Sequence, residues 1–318
     1  MQYVKKHTLL QDKPKVIVIV GLTAVGKSAL AIGLARRFNG EVISADSRQV
    51  YRGLNLGTGK ITRKEMRGVP HHLLDVVSPK KQFSVAEYQT LAREKIDGII
   101  SRDKLPIICG GTGLYIDAAL GRVTIPDVPP DPLLRKKLGR KSAEELFALL
   151  KKLDPKRAKE IDSKNPRRLI RAIEIANAKR SENLDPRRSP RREGEAVGIF
   201  ASRSVCWIGL TLPPDLLKQR IKTRLSERIK DGLIAEVKEL HQRGLSWKRL
   251  EKLGLEYRFV SRYLRGLMTK REMTDKLQTE IWRYAKRQMQ WFKRNKDIQW
   301  FSPSQKTKIY AMLKSEGL

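Results

Sequence analysis

Apolar positions along the chain keep switching between two rhythms. Lys15–Val20 is a run of β-branched residues ending at Gly21, the pattern of a strand buried on both faces in a parallel sheet. Ser28–Phe38 then spaces Ala29, Leu30, Ile32, Leu34 and Ala35 as a packed helix would. Glu41–Ser44 predicts a second strand, and His71–Val77 a weaker third. Ser84-Val85-Ala86-Glu87 has the residues of a capping box, so a helix is expected from there to about Ser101. Leu105–Cys109 reads as a further strand, followed by Gly110-Gly111-Thr112. Strand alternating with helix predicts an α/β fold with a parallel sheet, its site at the C-terminal ends of the strands.

Beyond Gly121 the pattern changes. Ile125–Pro132 carries four prolines and reads as a crossing between domains. Ser142 and Glu145 form a second capping box, opening a helix to Leu153, and Asn165-Pro166 places a cap and a first-turn proline ahead of another helix. Ser181–Glu195 is basic, contains proline and lacks periodicity, which predicts a mobile loop. Val205–Leu210 reads as a strand again, and from Asp215 onward the pattern is helical. The expected organisation is a catalytic core of residues 1–122 and 206–318, interrupted by a helical insertion over 123–205.

Charge narrows the class of partner. The 318 residues include 67 Lys and Arg against 34 Asp and Glu, a formal net charge of +33. Such an excess self-repels in a folded chain and points to a polyanion, nucleic acid first. An anionic membrane surface or a generally basic proteome would give the same sign. The two cysteines, Cys109 and Cys206, lie in apolar runs and read as core residues, and the four histidines lack zinc-ligand spacing. No apolar run approaches the length of a membrane span, so a cytoplasmic protein without a membrane partner is expected.

Two motifs carry the chemistry. Gly21-Leu22-Thr23-Ala24-Val25-Gly26-Lys27-Ser28 fits GxxxxGK[ST] between a strand and a helix, where backbone N–H groups converge on phosphate oxygens. Lys27 would neutralise the phosphates and the Ser28 hydroxyl would ligate Mg²⁺. Asp46, just past the second strand, lies on the same rim, where a carboxylate can take a proton or ligate a metal; an isolated Asp there is also a common turn residue. Ser47, Arg48 and Gln49 beside it add hydrogen-bonding capacity toward bases and phosphates.

The P-loop followed by Asp46-Ser47-Arg48-Gln49-Val50-Tyr51, Gly57-Thr58-Gly59-Lys60, Pro70-His71-His72-Leu73-Leu74-Asp75 and Gly110-Gly111-Thr112-Gly113-Leu114-Tyr115 resembles the tRNA dimethylallyltransferases. The resemblance implies a P-loop NTPase-like core with an inserted helical domain and C-terminal helices, acting as a monomer. It implies that the P-loop holds the diphosphate of dimethylallyl diphosphate rather than ATP, with Mg²⁺ as cofactor. Asp46 is similar to the family's general base, taking a proton from the N6 amine of adenosine 37 in the tRNA anticodon stem-loop. Thr112 matches a threonine beside the reacting groups, although after Gly-Gly it also reads as a helix N-cap. Arg220, which shares a helix face with Arg224, matches a diphosphate contact.

For tRNA itself the resemblance implies Asp46–Gln49 and Thr112 at the extruded base. It adds Arg135, the stretch Arg167-Arg168-Leu169-Ile170-Arg171, and Arg283, Lys286 and Arg287 on the helix that begins Ile281-Trp282. Leu169 and Ile170 equally read as a core stripe of an ordinary basic helix. One departure stands out: where the family usually has Gly-Tyr, a basic residue, then Glu or Gln, this chain has Glu256-Tyr257-Arg258-Phe259. Three readings compete with prenyl transfer to tRNA: an ATP-dependent P-loop kinase, a prenyltransferase of free adenine nucleotides, and an RNA-binding protein with a relict P-loop.

Overall fold

Val16–Gly21, six consecutive buried residues, forms strand β1 inside a parallel sheet. The structure, a computed structural model, describes residues 16–184 and 205–318. After β1 come α1 (Lys27–Arg37), β2 (Gly40–Ala45), the short α2 (Arg63–Met66), β3 (His71–His72), α3 (Val85–Ile100), β4 (Leu105–Gly110) and α4 (Gly113–Ala119). Helices α5 (Pro132–Leu138), α6 (Ala143–Leu153), α7 (Pro155–Glu160) and α8 (Pro166–Leu184) follow. The chain then forms β5 (Val205–Leu210), α9 (Pro214–Lys230), α10 (Leu233–Gln242), α11 (Trp247–Leu253) and α12 (Leu255–Leu264). It closes with α13 (Lys270–Phe292), β6 (Gln299–Phe301) and α14 (Lys306–Ser315).

The strands lie in the order β3-β2-β4-β1-β5-β6, and every described pairing is parallel. Helices cover both faces of such a sheet, so the central strands are continuous apolar runs: Ile17, Ile19, Ile43, Ile107 and Ile108 are wholly buried. The connections after β1, β2 and β4 open at one edge of this sheet, and they carry the P-loop, Asp46 and Gly110-Gly111-Thr112. Both expected capping boxes form, at Ser84 with Glu87 and at Ser142 with Glu145.

Two expectations need correction. The strand expected over His71–Val77 stops at His72 because Leu73 and Asp75 take left-handed backbone, φ 62° and 56°, which breaks the ladder. Val77 returns only as an isolated bridge to Tyr51. The first residues of the loop expected over Ser181–Glu195 are helical instead, since α8 continues to Leu184. The rest of the expected loop lies outside the described residues.

The described chain divides into two compact units, residues 16–123 with 205–318, and residues 124–184. The smaller unit packs Leu138, Leu146, Leu150, Ala158, Leu169, Ala172 and Ile173 into its own core. Within it the buried Glu174 accepts from Arg135 Nε at 2.6 Å and Nη2 at 2.7 Å, from Arg171 at 3.3 Å and from the Asp131 N–H at 2.9 Å. A carboxylate so buried is tolerable only because each oxygen has a charged or N–H donor.

Candidate active site

The P-loop is built in two layers. Gly21, Leu22 and Val25 are buried beneath it, whereas Thr23, Ala24, Gly26, Lys27 and Ser28 line a cleft of about 1150 Å³ within the larger unit. Gly26 adopts φ 99°, which an L side chain rarely takes, and this turn lets α1 start at Lys27 with its free N–H groups toward the cleft. The Lys27 amine donates to the carbonyls of Gly21 at 3.0 Å and Leu22 at 2.7 Å. Burial pushes its ammonium down to about 8, with Cys109 and Asp46 pulling the other way. A cation held at such cost favours an anionic ligand.

Asp46 is fixed by its own turn. Its Oδ1 accepts the Arg48 N–H at 2.8 Å and the Gln49 N–H at 3.4 Å, as in the turn reading, and the residue also lines the cleft. Thr112 occupies the N-cap position of α4 but makes no side-chain cap. Its hydroxyl instead accepts the Ser47 N–H at 3.1 Å, which ties the β4 turn to the Asp46 turn. Gln49 lines the cleft, with its Oε1 accepting from Ser44 and its Nε2 reaching the Thr58 and Gly59 carbonyls, each at 3.4 Å. Arg48 is exposed and Ser47 half-buried.

Helix α9 forms the opposite wall. Leu217, Ile221 and Leu225 are buried, which turns Arg220, Arg224 and Arg228 toward the cleft at successive turns. Arg220 is exposed, while Arg224 lies deeper: burial first, then Arg228, pushes its guanidinium down to about 10. Arg224 also contributes to depressing Lys27, so the two sense each other across the cleft.

Two residues that the sequence reading did not single out hold this geometry. Gln288 on α13 is buried and touches both the P-loop and the β4 turn. Glu236 on α10 accepts the N–H groups of Asn55, Leu56 and Gly57 and the Tyr257 hydroxyl, fixing the Gly57-Thr58-Gly59 segment. The one available signal was a glycine-rich segment lacking helix or strand periodicity, which needs an outside partner for its N–H groups.

The expected tRNA contacts fare unevenly. Arg135 and Arg171 are committed to Glu174, and Leu169 is wholly buried, so those side chains build the helical unit. Arg167 and Arg168 are exposed, and Ile170 is half-buried. On α13, Arg283 pairs with Glu280 at 2.6 Å, Lys286 leans on Trp282, and Arg287 lies over the Tyr284 ring, all three exposed. Cys109 and Cys206 are buried free thiols, as their apolar settings predict. Among the described residues no group of three or more His, Cys, Asp or Glu could hold a metal ion, and no helix is long and apolar enough to cross a membrane.

Residues 49–295 match the family model for IPP transferase. The tRNA dimethylallyltransferase of Anoxybacillus flavithermus is 42% identical over 294 residues, 92% of each chain. The crystal structure of the full-length tRNA isopentenylpyrophosphate transferase from Bacillus halodurans aligns with a TM-score of 0.69 at 37% identity, covering 96% of this chain and 97% of that one. A eukaryotic dimethylallyltransferase, caught in crystallographic snapshots acting on tRNA, gives 0.68 at 28% identity over 88% of this chain and 70% of its own. Alignment along nine-tenths of the chain, with a family match over residues 49–295, makes this chain a member of the tRNA dimethylallyltransferase (IPP transferase) family.

Proposed function

We propose that the protein transfers a dimethylallyl group from dimethylallyl diphosphate to the N6 amine of adenosine 37 in the tRNA anticodon loop, in the cytoplasm, releasing diphosphate. The observation that carries this is the convergence of Lys27, Asp46 and Arg224 on one cleft, cations for a leaving diphosphate beside a carboxylate for a proton. The amine nitrogen attacks the allylic carbon, the carbon–oxygen bond to diphosphate breaks, and the N6 proton passes to Asp46. Charge grows on the departing oxygen, and the P-loop N–H groups with Lys27, Arg220 and Arg224 are already placed to stabilise it. Thr112 steadies the Asp46 turn through Ser47, which makes it a positioning residue in this reading.

Mg²⁺ fits the site. It takes few protein oxygens and completes its octahedron with phosphate and water, so the exposed Ser28 hydroxyl at the start of α1 is a suitable donor. Bound there it would neutralise diphosphate charge. An adenine amine stacked in a loop is out of reach, so the base must be extruded into the cleft. Exposed Arg167, Arg168, Arg283, Lys286 and Arg287 supply phosphate contacts for the anticodon stem-loop, and Arg48 and Gln49 border the incoming base.

Incubation with labelled dimethylallyl diphosphate, unmodified tRNA and Mg²⁺ tests the reading. Label should pass to tRNA without ATP, and Asp46→Ala should cut the single-turnover rate roughly 10²–10⁴-fold while leaving tRNA affinity intact. Stoichiometric ATP consumption, or transfer to free adenine nucleotides but not tRNA, would sink it.

A further inference from the structure

The carboxylate of Glu256 meets a cation of the cleft. It lies in the first turn of α12, with Oε1 3.3 Å from Nη1 of Arg228; the two side chains are 15% and 16% exposed. Arg228 follows Arg220 and Arg224 by two turns and one turn of α9, and it lines the same cleft. The opposite end of its guanidinium rests on Gly59. A Cβ there would stand 1.8 Å from Nη2 of Arg228 and 3.3 Å from Nη2 of Arg224, so only glycine admits the two guanidinia side by side. Gly59 in turn belongs to the segment that Glu236 clamps.

Arg228 is therefore gripped at Nη1 and set beside Arg224 at Nη2, on the wall that faces the P-loop. Two adjacent guanidinia repel, and burial deepens the cost. Glu256 offsets one of the two charges. Among the described residues Arg224 makes no ion pair, and Glu227, Glu65 and Glu256 act on it only at longer range, so an anion in the cleft would take up the remainder. A tie between α9 and α12 alone would not need ions, because an apolar pair of similar volume does that at less desolvation cost.

We propose that Arg228 is a further cation of the diphosphate site, beside Lys27 and Arg224, and that Glu256 is a positioning residue that holds its guanidinium there. The proposal rests on the dimethylallyl diphosphate reading above. Its chemistry is charge neutralisation on the leaving diphosphate by a planar fork suited to bidentate phosphate contact.

The test is calorimetric titration of inorganic pyrophosphate, with Mg²⁺, into the full-length protein and its variants. R228Q should lower affinity by roughly ten- to a hundredfold, the loss of charge-assisted hydrogen bonds. R228K, which keeps the charge but not the fork, should fall between R228Q and the parent. E256Q should lower affinity less than R228Q, and in the R228Q background should lower it no further, because the two act as one unit. Should R228Q fail to fold by circular dichroism, the R228Q/E256Q double variant, which buries no unpaired charge, carries the same comparison. Parental pyrophosphate affinity in R228Q or the folded double variant, with affinity lost in K27A, overturns the assignment of Arg228. Parental affinity in K27A as well would locate the failure in the diphosphate reading itself. E256Q that lowers the melting temperature but leaves pyrophosphate affinity unchanged would reduce the pair to a helix tie and overturn the positioning role.

Discussion

Thr23 and Gln288, 265 residues apart, share a hydrogen bond: the Thr23 N–H donates to Oε1 of Gln288 at 2.9 Å. Nε2 of the same amide donates to the Gly111 carbonyl at 3.0 Å, so one side chain of α13 clips the P-loop to the β4 turn. A side-chain amide offers an acceptor and a donor on separate atoms, which is what bridging an N–H and a carbonyl needs. Gln288→Leu should leave both backbone groups unpaired and cost about 2–3 kcal/mol of stability. Gln288→Glu, which keeps the acceptor for Thr23 but sets a buried carboxylate oxygen against the Gly111 carbonyl, should cost at least as much. Both should raise KM for dimethylallyl diphosphate more than they lower kcat. Urea unfolding and steady-state kinetics check this, and a rise in KM without any loss of stability would contradict it.

Lys27 should make the ligand-free protein less stable than it could be. Burial depresses its ammonium from 10.5 to about 8, so between those values the unfolded chain binds more protons than the folded one. Stability then rises with pH across that window, and below it the cost of burying the cation is fully present. Lys27→Met should therefore raise the melting temperature at pH 7 by roughly 2–4 °C, while weakening pyrophosphate binding. The gain should shrink as pH climbs from 8 to 10.5. A thermal-shift series from pH 7 to 10.5 reads it directly, and a variant less stable than the parent at pH 7 would contradict the account.

What the sequence made legible is what local chemistry determines. β1, β2 and β4 are apolar runs ending at turns, and Ser84 with Glu87 closes its helix whatever lies around it. The P-loop and Asp46 were readable for the same reason, since each is a short motif at a strand end. Gln288, Glu236 and Arg228 were not, because their partners lie in other elements, from Tyr257 and Glu256 on α12 to the P-loop, and nothing nearby in the chain announces them. Arg135 and Arg171 have a partner that the sequence did not announce either. An arginine beside apolar residues reads the same whether it faces a phosphate or a buried carboxylate, and here Glu174 takes both. Thr112 likewise fits a cap by sequence, yet its hydroxyl goes to Ser47.

Arg135 should consequently behave as a structural residue. Its guanidinium makes two hydrogen bonds to Glu174, whose side chain is 1% exposed. Arg135→Ala should destabilise the helical unit by roughly 1–3 kcal/mol, as a buried carboxylate loses its main partner although Arg171 remains. Arg135→Ala with Glu174→Leu should recover much of that loss by removing the stranded charge. Chemical unfolding of the two variants separates this from an RNA role. Undiminished stability in the single variant, with weakened tRNA binding, would return Arg135 to the RNA surface.

Salt dependence separates the residues that grip RNA from those that build the protein. Arg168 and Arg287 are exposed, and neither is tied to a carboxylate among the described residues, so both are free to meet tRNA phosphates. Each phosphate neutralised in a loop or single strand contributes about −0.7 to the slope of log affinity against log salt, through counterion release. Replacing both with Ala should lower the magnitude of that slope by roughly one to two units. The single-turnover rate at saturating tRNA should change little, because neither side chain lines the cleft. Asp46→Ala should give the reverse, an unaltered slope with a collapsed rate. Arg135→Ala, measured where it remains folded, should leave the slope unchanged, since its charge is already spent on Glu174. An unchanged slope in the Arg168 and Arg287 double variant would mean that these faces are only solvated and that the tRNA phosphates lie against other basic residues.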